Sequence, residues 1–173
     1  EARTELACVQ HVADVVDRYA WTHHIDRLMV LGNLMLLLGT EPQAANAWFR
    51  ERFADGYDWV MQANVTGMAL HADGGLMASK PYVASGQYIQ RMSNYCSGCP
   101  YDPAESTGPS ACPFTTLYWD FLLKHETAMS KNQRMSMQVR NLARLDEKKR
   151  EAIHARAEQV RGAALDLRAG RVP

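Results

Sequence analysis

The sequence predicts an all-α chain. Apolar residues recur at three- and four-residue intervals along most of its length, no stretch of useful length alternates apolar with polar residues, and Gly, Pro and capping residues separate the periodic segments. Leu6, Val9, Val12, Ala13, Val16 and Tyr19 share one side of a first helix. Thr22 is placed to cap a second helix, which runs to Gly39 and closes at Gly39-Thr40. Pro42 suits the first position of a third helix, with Ala45, Trp48, Phe49 and Phe53 on one side. A fourth helix is predicted over 58–70. From His71 to Gln87 the composition shifts to Gly, Pro, Ser and small residues, which predicts an ordered loop followed by a short helix. Residues 93–113 are richer still in turn formers. Helices resume from Phe114 to about Lys131, and the charged segment from Asp146 to Leu167 reads as a last long helix. There is no internal repeat and no low-complexity tract.

A chain of 173 residues, 47% apolar, can bury one sizeable core, so a single domain over 1–173 is expected. Its densest apolar stretch, Leu28 to Leu38, is interrupted by Gly32 and Asn33, which argues against a membrane span. No signal-peptide pattern opens the chain, so a cytoplasmic location is expected. Glu1 stands where an initiator Met would, so the chain is expected to belong to a longer protein. The net charge of zero conceals a division: residues 131–173 hold eleven Lys/Arg against five Asp/Glu, leaving eight against fourteen upstream. A basic end of this kind either attracts phosphates or forms the solvated face of a helix. Charge alone does not choose between them.

Four cysteines are present. Cys96, Cys99 and Cys112 form a C-x2-C-x12-C-P pattern in the 93–113 loop, while Cys8 lies on the first helix. Four thiolates suit a tetrahedral zinc or a cubane iron–sulfur cluster, and either would hold such a loop to a helix. Disulfides are the structural alternative, disfavoured in a cytoplasmic setting. A single CxxC is less than the two short-spaced pairs of most zinc ribbons, and Cys followed by Pro, as at Cys112-Pro113, is frequent among iron–sulfur ligands. On spacing alone these possibilities stay open.

The strings around the cysteines narrow them. Lys80-Pro81-Tyr82, Ala84-Ser85-Gly86, Tyr88-Ile89, Arg91-Met92-Ser93, Tyr95-Cys96, Gly98-Cys99, Tyr101-Asp102, Ala111-Cys112-Pro113-Phe114 and Leu117-Tyr118-Trp119 occur in that order, preceded by Thr22-His23-His24-Ile25-Asp26-Arg27-Leu28-Met29. This pattern resembles the iron–sulfur bacterial cryptochromes and photolyases, also called prokaryotic (6-4) photolyases, over most of the chain and least after about residue 130. The resemblance implies the C-terminal helical, FAD-binding part of that fold, with Cys8, Cys96, Cys99 and Cys112 ligating a [4Fe–4S] cluster of structural role. The N-terminal α/β domain and its antenna chromophore would lie outside this chain.

The implied activity is light-dependent repair of ultraviolet-damaged DNA by electron transfer from reduced FAD, with the (6-4) lesion as substrate. In that reading His23 and His24 face the lesion, His24 assisting proton transfer and His23 shaping the pocket, while Tyr82 stacks on or hydrogen-bonds a flipped-out pyrimidine. Arg27 and Asp55 form an ion pair at the flavin edge. Asp58, Met61 and Asn64, at three-residue spacing, present one face to the flavin, and Trp48, supported by Tyr57, is the nearest tryptophan of an electron-transfer chain. Met61 stands where the family often has an acidic or polar side chain, which leaves the tuning of the flavin open. Lys80 and Arg91 are candidate phosphate contacts. Read without the resemblance, His23 and His24 are polar residues of a helix start, Arg27–Asp55 an ordinary salt bridge and Trp48 a core anchor. A monomer is expected. A light-sensing cryptochrome with the same cofactors, and a metal-stapled interaction module without photochemistry, are the alternatives.

Overall fold

The computed structural model describes residues 4–168, with side chains through residue 164. Those residues fold into helices and connecting loops, and the only β-type pairing among them is one isolated bridge between Asp102 and Ala111. Helix α1 spans Ala7–Tyr19 and buries Cys8, Val12 and Val16. It ends at Ala20, whose left-handed φ of 50° lets its N–H return to the Val16 carbonyl.

The second helical segment begins one residue later than its sequence suggests. His23, not Thr22, is the cap: its Nδ1 accepts from the Ile25 N–H at 3.2 Å, while the Thr22 hydroxyl donates to Asp26 Oδ2 at 3.3 Å. An imidazole nitrogen reaches the free N–H of the first turn as a hydroxyl would. Helix α2 (His24–Asp26) runs into a π-helical segment, Arg27–Gly32, and on into α3 (Asn33–Leu38), which closes at Gly39 with a φ of 71°. The pattern repeats further on. Helix α4 (Pro42–Arg52) is followed by α5 (Asp58–Met61), which widens into a second π-helical segment, Gln62–Ala69.

The two wide segments pack on each other, and Gly32 makes this possible: a Cβ there would lie 2.8 Å from the Ala69 Cβ and 3.0 Å from the Arg27 carbonyl oxygen. Such stretches of wider helix concentrate at functional sites, because the shifted register re-aims side chains.

After the loop through Ser85 come α6 (Gly86–Met92) and a single 3-10 turn, Tyr95–Gly98. The cysteine loop is closed by Asp102, whose N–H donates to the Ser110 carbonyl and whose own carbonyl accepts from Cys112 N–H. Helix α7 (Pro113–Lys124) is interrupted at His125 and continues as α8 (Glu126–Ser130). Where the sequence showed no helical signal between Lys131 and Asp146, a 3-10 turn (Gln133–Met135) leads into α9 (Ser136–Leu142).

The last helix, α10 (Glu147–Arg168), lies along α7. Ile153 and Ala157 are buried in that contact. Asp120, 4% exposed, receives Arg161 at 2.6 Å and His154 at 2.9 Å, and Arg150 pairs with Glu126 at 3.2 Å. The main core draws on α1, the 24–38 segment, α4, the second wide segment, α6, α7 and α10. A smaller cluster of Leu122, Met129, Met135 and Leu142 lies under α8 and α9. No helix among the described residues is long and apolar enough to cross a membrane.

Candidate functional site

Two cavities carry the residues singled out from the sequence. The first is lined by all four cysteines together with Leu6, Gly86, Ile89, Tyr95 and Phe114. Cys8 and Cys112 are buried, Cys96 and Cys99 half-buried, and all four are free thiols, so no disulfide forms among the described residues. Gly86 is an architectural requirement of this cavity, because a Cβ at that position would stand 2.7 Å from Cys112 Sγ and 3.1 Å from Thr115 Oγ1. Its N–H donates to Thr115 Oγ1 at 3.1 Å, and that hydroxyl donates to the Pro103 carbonyl at 2.8 Å, which ties α6, the cysteine loop and α7 together.

Burial, reinforced by Cys112, pushes the Cys8 thiol up to about 12. Burial also raises Cys112 and, with Cys99 beside it, Cys96. A low-dielectric site without a cation favours the neutral thiol, and a bound metal reverses that preference because thiolate is the ligating form. No group of three or more His, Cys, Asp or Glu among the described residues is close enough to hold a single metal ion. The thiols surround a cavity; they do not converge on one point.

The second cavity is lined by His24, Arg27, Leu28, Phe49, Val60, Met61, Asn64, Val65 and Ala69. Both wide helical segments contribute to it. Arg27 is held from three directions: Nη1 reaches Asp55 at 2.8 and 3.0 Å, Nε donates to the Thr22 carbonyl at 3.1 Å, and the guanidinium lies 4.4 Å from the Phe53 ring centroid. A planar guanidinium suits this combination of carboxylate and ring face. Met61 is 2% exposed, and Asn64 Nδ2 donates to the Val60 carbonyl at 2.9 Å, leaving its side-chain oxygen for another donor.

The remaining candidates lie outside the linings of both cavities. Asp58 is exposed and bonds Arg50 Nε at 2.7 Å. A three-residue step falls short of a helical turn by about 60°, so a row spaced by threes spirals away and Asp58 does not share the face of Asn64. His23 is exposed and engaged as the helix cap. Trp48 is half-buried, edge-on to Phe49 at 5.2 Å and to Phe53 at 6.2 Å, one layer behind the lining Phe49. Tyr57 is 63% and Tyr82 39% exposed. Lys80 is half-buried and Arg91 exposed.

Three residues that organise these sites, Asn33, Tyr95 and Asp26, are not among the site candidates that the sequence offers. Asn33, fully buried, clamps the segment bearing Tyr82 to the helix bearing His24: its Nδ2 donates to the Ala84 carbonyl at 2.9 Å and its Oδ1 accepts from Ala84 N–H at 3.1 Å. Tyr95, which lines the cysteine cavity, donates its hydroxyl to Asp26 Oδ1 at 3.4 Å and lies against His11 at 5.2 Å. Burial and the Asp26 carboxylate raise the Tyr95 phenol, so it remains a donor. Asp26 thus connects the cysteine loop with the turn that carries His23, His24 and Arg27. A lone Asn within an apolar helix, as at Asn33 in the run from Leu28 to Leu38, is the signal that was available for the first of these, since a buried amide requires partners.

No family model matches the chain. A (6-4) photolyase of Agrobacterium fabrum is 44% identical to it over 155 residues, which cover 90% of this chain and 31% of that protein. An uncharacterised protein of Acanthamoeba polyphaga mimivirus is 37% identical over 94 residues, 54% of this chain and 69% of its own length. The chain therefore spans about a third of the photolyase it matches.

Proposed function

The chain belongs to the photolyase/cryptochrome family, as the C-terminal part of a longer protein, and on that premise we propose that it forms the helical portion of a light-dependent DNA-repair lyase. The lesion it serves is the (6-4) photoproduct. The observation that carries the reading is one pocket holding both His24 and Arg27, with Asp55 clamped on the guanidinium.

FAD bound beside this pocket supplies the electron when photoexcited in its reduced state. Arg27 is the residue suited to meet that group. It is a fixed cation whose geometry is set before any ligand arrives, so its field costs no reorganisation. Asp55 holds the guanidinium in plane, and Met61 and Asn64 offer an apolar and a polar contact on the same wall. His24, exposed at the pocket rim, gives and takes a proton at the lesion, a role an imidazole fills near neutral pH. His23 fixes the turn from which His24 projects, and Tyr82 contacts the extruded base. Asp58 pairs with Arg50 outside this wall, and Trp48, behind Phe49, relays electrons from the surface. The remaining walls of the flavin pocket and the antenna chromophore belong to other parts of the full-length protein.

We read the cysteine cavity as the seat of a [4Fe–4S] cluster, which Cys8, Cys96, Cys99 and Cys112 would hold. Such a cluster asks for four thiolates spread around a volume, whereas a single tetrahedral ion asks for donors converging on a point. Free thiols around a cavity kept open by Gly86 meet the first requirement. When bound, such a cluster would supply a cationic core to the four thiolates and so join α1 to the cysteine loop.

The test is photoreduction of the full-length protein, followed by illumination with duplexes carrying a (6-4) photoproduct or a cyclobutane dimer. Turnover of the (6-4) duplex is expected. His24→Ala should keep bound flavin and lower that turnover about a hundredfold or more. Turnover of neither lesion would overturn the repair reading in favour of a signalling cryptochrome, and normal repair by the variant would remove His24 from the chemistry.

A further inference from the structure

We infer that an unpaired cationic row running from Lys131 to Arg144 is a track for the phosphate backbone of duplex DNA, continuous with the segment that carries Tyr82. The inference rests on the DNA-repair reading and adds to it a contact surface.

The row begins in sequence. Residues 127–145 contain Lys131, Arg134, Arg140 and Arg144 and no carboxylate. Solvated helix faces ordinarily intersperse both signs of charge. Here nineteen consecutive residues carry one sign only, in a chain whose overall net charge is zero.

Local structure then turns the run into a line. The 3-10 turn Gln133–Met135 leads directly into α9, and residues three apart eclipse in such a turn, so Arg134 leads onto Met137; Arg140 follows on α9 and Arg144 stands two residues past its end. All four are exposed, and Met135 and Leu142 are buried on the opposite side. From Arg134 to Arg144 the row extends about 15 Å, which spans roughly four base-pair steps of duplex.

The partnering of the neighbouring cations sharpens the contrast. Arg150 pairs with Glu126, Arg161 with Asp120 and Glu158, and Lys149 donates to Thr107. No ion pair among the described residues engages Lys131, Arg134, Arg140 or Arg144. Arg150 and Arg161 of α10 are neutralised by carboxylates, and Lys131, Arg134, Arg140 and Arg144 are not. Displacing counterions by phosphate is what makes a cationic surface bind DNA.

Two contacts fix where the row starts. Asn132 Nδ2 donates to the Ser79 carbonyl at 2.8 Å, and its Oδ1 accepts from Arg134 N–H at 3.0 Å, so one side chain shapes the turn and ties it to the 71–85 segment. Val83 packs against the cluster formed by Leu122, Met129, Met135 and Leu142. Lys80 and Tyr82 lie between these two attachment points in sequence. A duplex whose extruded base reaches Tyr82 therefore meets Lys131 and Arg134 beside it, with Arg140 and Arg144 continuing along the flank. Such contacts fix orientation without reading sequence.

The experiment measures binding of the full-length protein to an undamaged duplex and to a (6-4)-containing duplex over a range of KCl concentrations. In Arg134→Gln/Arg140→Gln/Arg144→Gln, the slope of log K against log [KCl] should fall by about 2 to 3 for both duplexes, with the preference for the lesion unchanged. The Arg→Lys triple should restore the slope, because a phosphate track needs point charges and no fork geometry. Arg18→Gln/Arg52→Gln, on α1 and α4, should leave it unchanged. Unaltered slope in the Gln triple, or equal loss in the Arg18/Arg52 variant, would overturn the track while the repair reading stands. A wild-type protein that binds neither duplex would overturn both.

Discussion

Cys8 and Cys112 lie at 6% exposure inside the main core, whereas His24 stands exposed at the rim of a pocket whose inner wall, Phe49, Met61 and Val65, belongs to that same core. The cysteine cavity collects its lining from four separate stretches: Leu6 and Cys8, Gly86 and Ile89, Tyr95 to Cys99, and Cys112 with Phe114. The His24–Arg27 pocket is built mainly from two helices interlocked through Gly32, with its half-buried guanidinium satisfied by groups of the chain itself. The first region gathers reactive donors that want a cation. The second presents groups already positioned for something outside. Function of the first is therefore expected to be cohesion, and of the second, recognition and chemistry.

Removing a cysteine is the strongest way to test this division. Cys99→Ala should take bound iron from about four per chain to near zero and expose the 93–113 loop to proteolysis, with metal content and limited digestion as the measurements. Bound iron unchanged would mean that the cavity holds nothing through that thiol. Asn33→Ala should cost about 3 kcal/mol in denaturant unfolding, since it orphans both backbone groups of the buried Ala84, while bound iron stays. If iron were lost with it, the two regions would not be separable.

Gly86→Ala tests the cavity from its wall. Overpacking against Cys112 Sγ should cost about 2 kcal/mol and lower iron occupancy. The mirror change, Gly32→Ala, should cost a similar amount with iron retained, because its Cβ meets Ala69 at the pocket side. The smallest effect is expected at the link between the regions. Tyr95→Phe removes one hydroxyl bond to Asp26 and should lower stability by about 0.5–1 kcal/mol, with altered imidazole resonances of His23 or His24 by NMR and unchanged iron. Unperturbed imidazoles would show that Asp26 transmits nothing between them.

Much of this architecture was legible in the chain. The periodicity of Leu6 to Tyr19 and of Asp146 to Leu167 yields α1 and α10 to within a residue or two, because amphipathic helices declare their buried side. Gly39 and Pro42 mark the ends they do because left-handed φ and a missing N–H are intrinsic to those residues. Helix α9 was not legible: with only Met135, Val139 and Leu142 facing inward over a single short helix, its pattern is too brief to rise above chance. The π-helical widening at Arg27–Gly32 and Gln62–Ala69 was equally silent, since an α-period and a slightly wider one differ little over six to eight residues.

Among the site residues, the four cysteines and the Arg27–Asp55 pair were named from sequence, and they are brought together here. Asp58 was not placed with Met61 and Asn64, because spacing by threes ignores the helical drift that carries it towards Arg50.

By itself, the sequence determined most of the helical segments, α1 and α10 above all, and the turns at Gly39 and Pro42, because propensity, capping and periodicity are properties of neighbouring residues. It also determined the chemical inventory of thiols, imidazoles and an acid-free stretch of arginines. Only the tertiary structure decided that Cys8 meets a loop nearly ninety residues away, that Asn33 holds the Tyr82 segment to the His24 helix, and that Asn132 sets an acid-free cationic row beside it. Those are long-range contacts, and they are selected by the shape of the whole packed core, which no local pattern encodes.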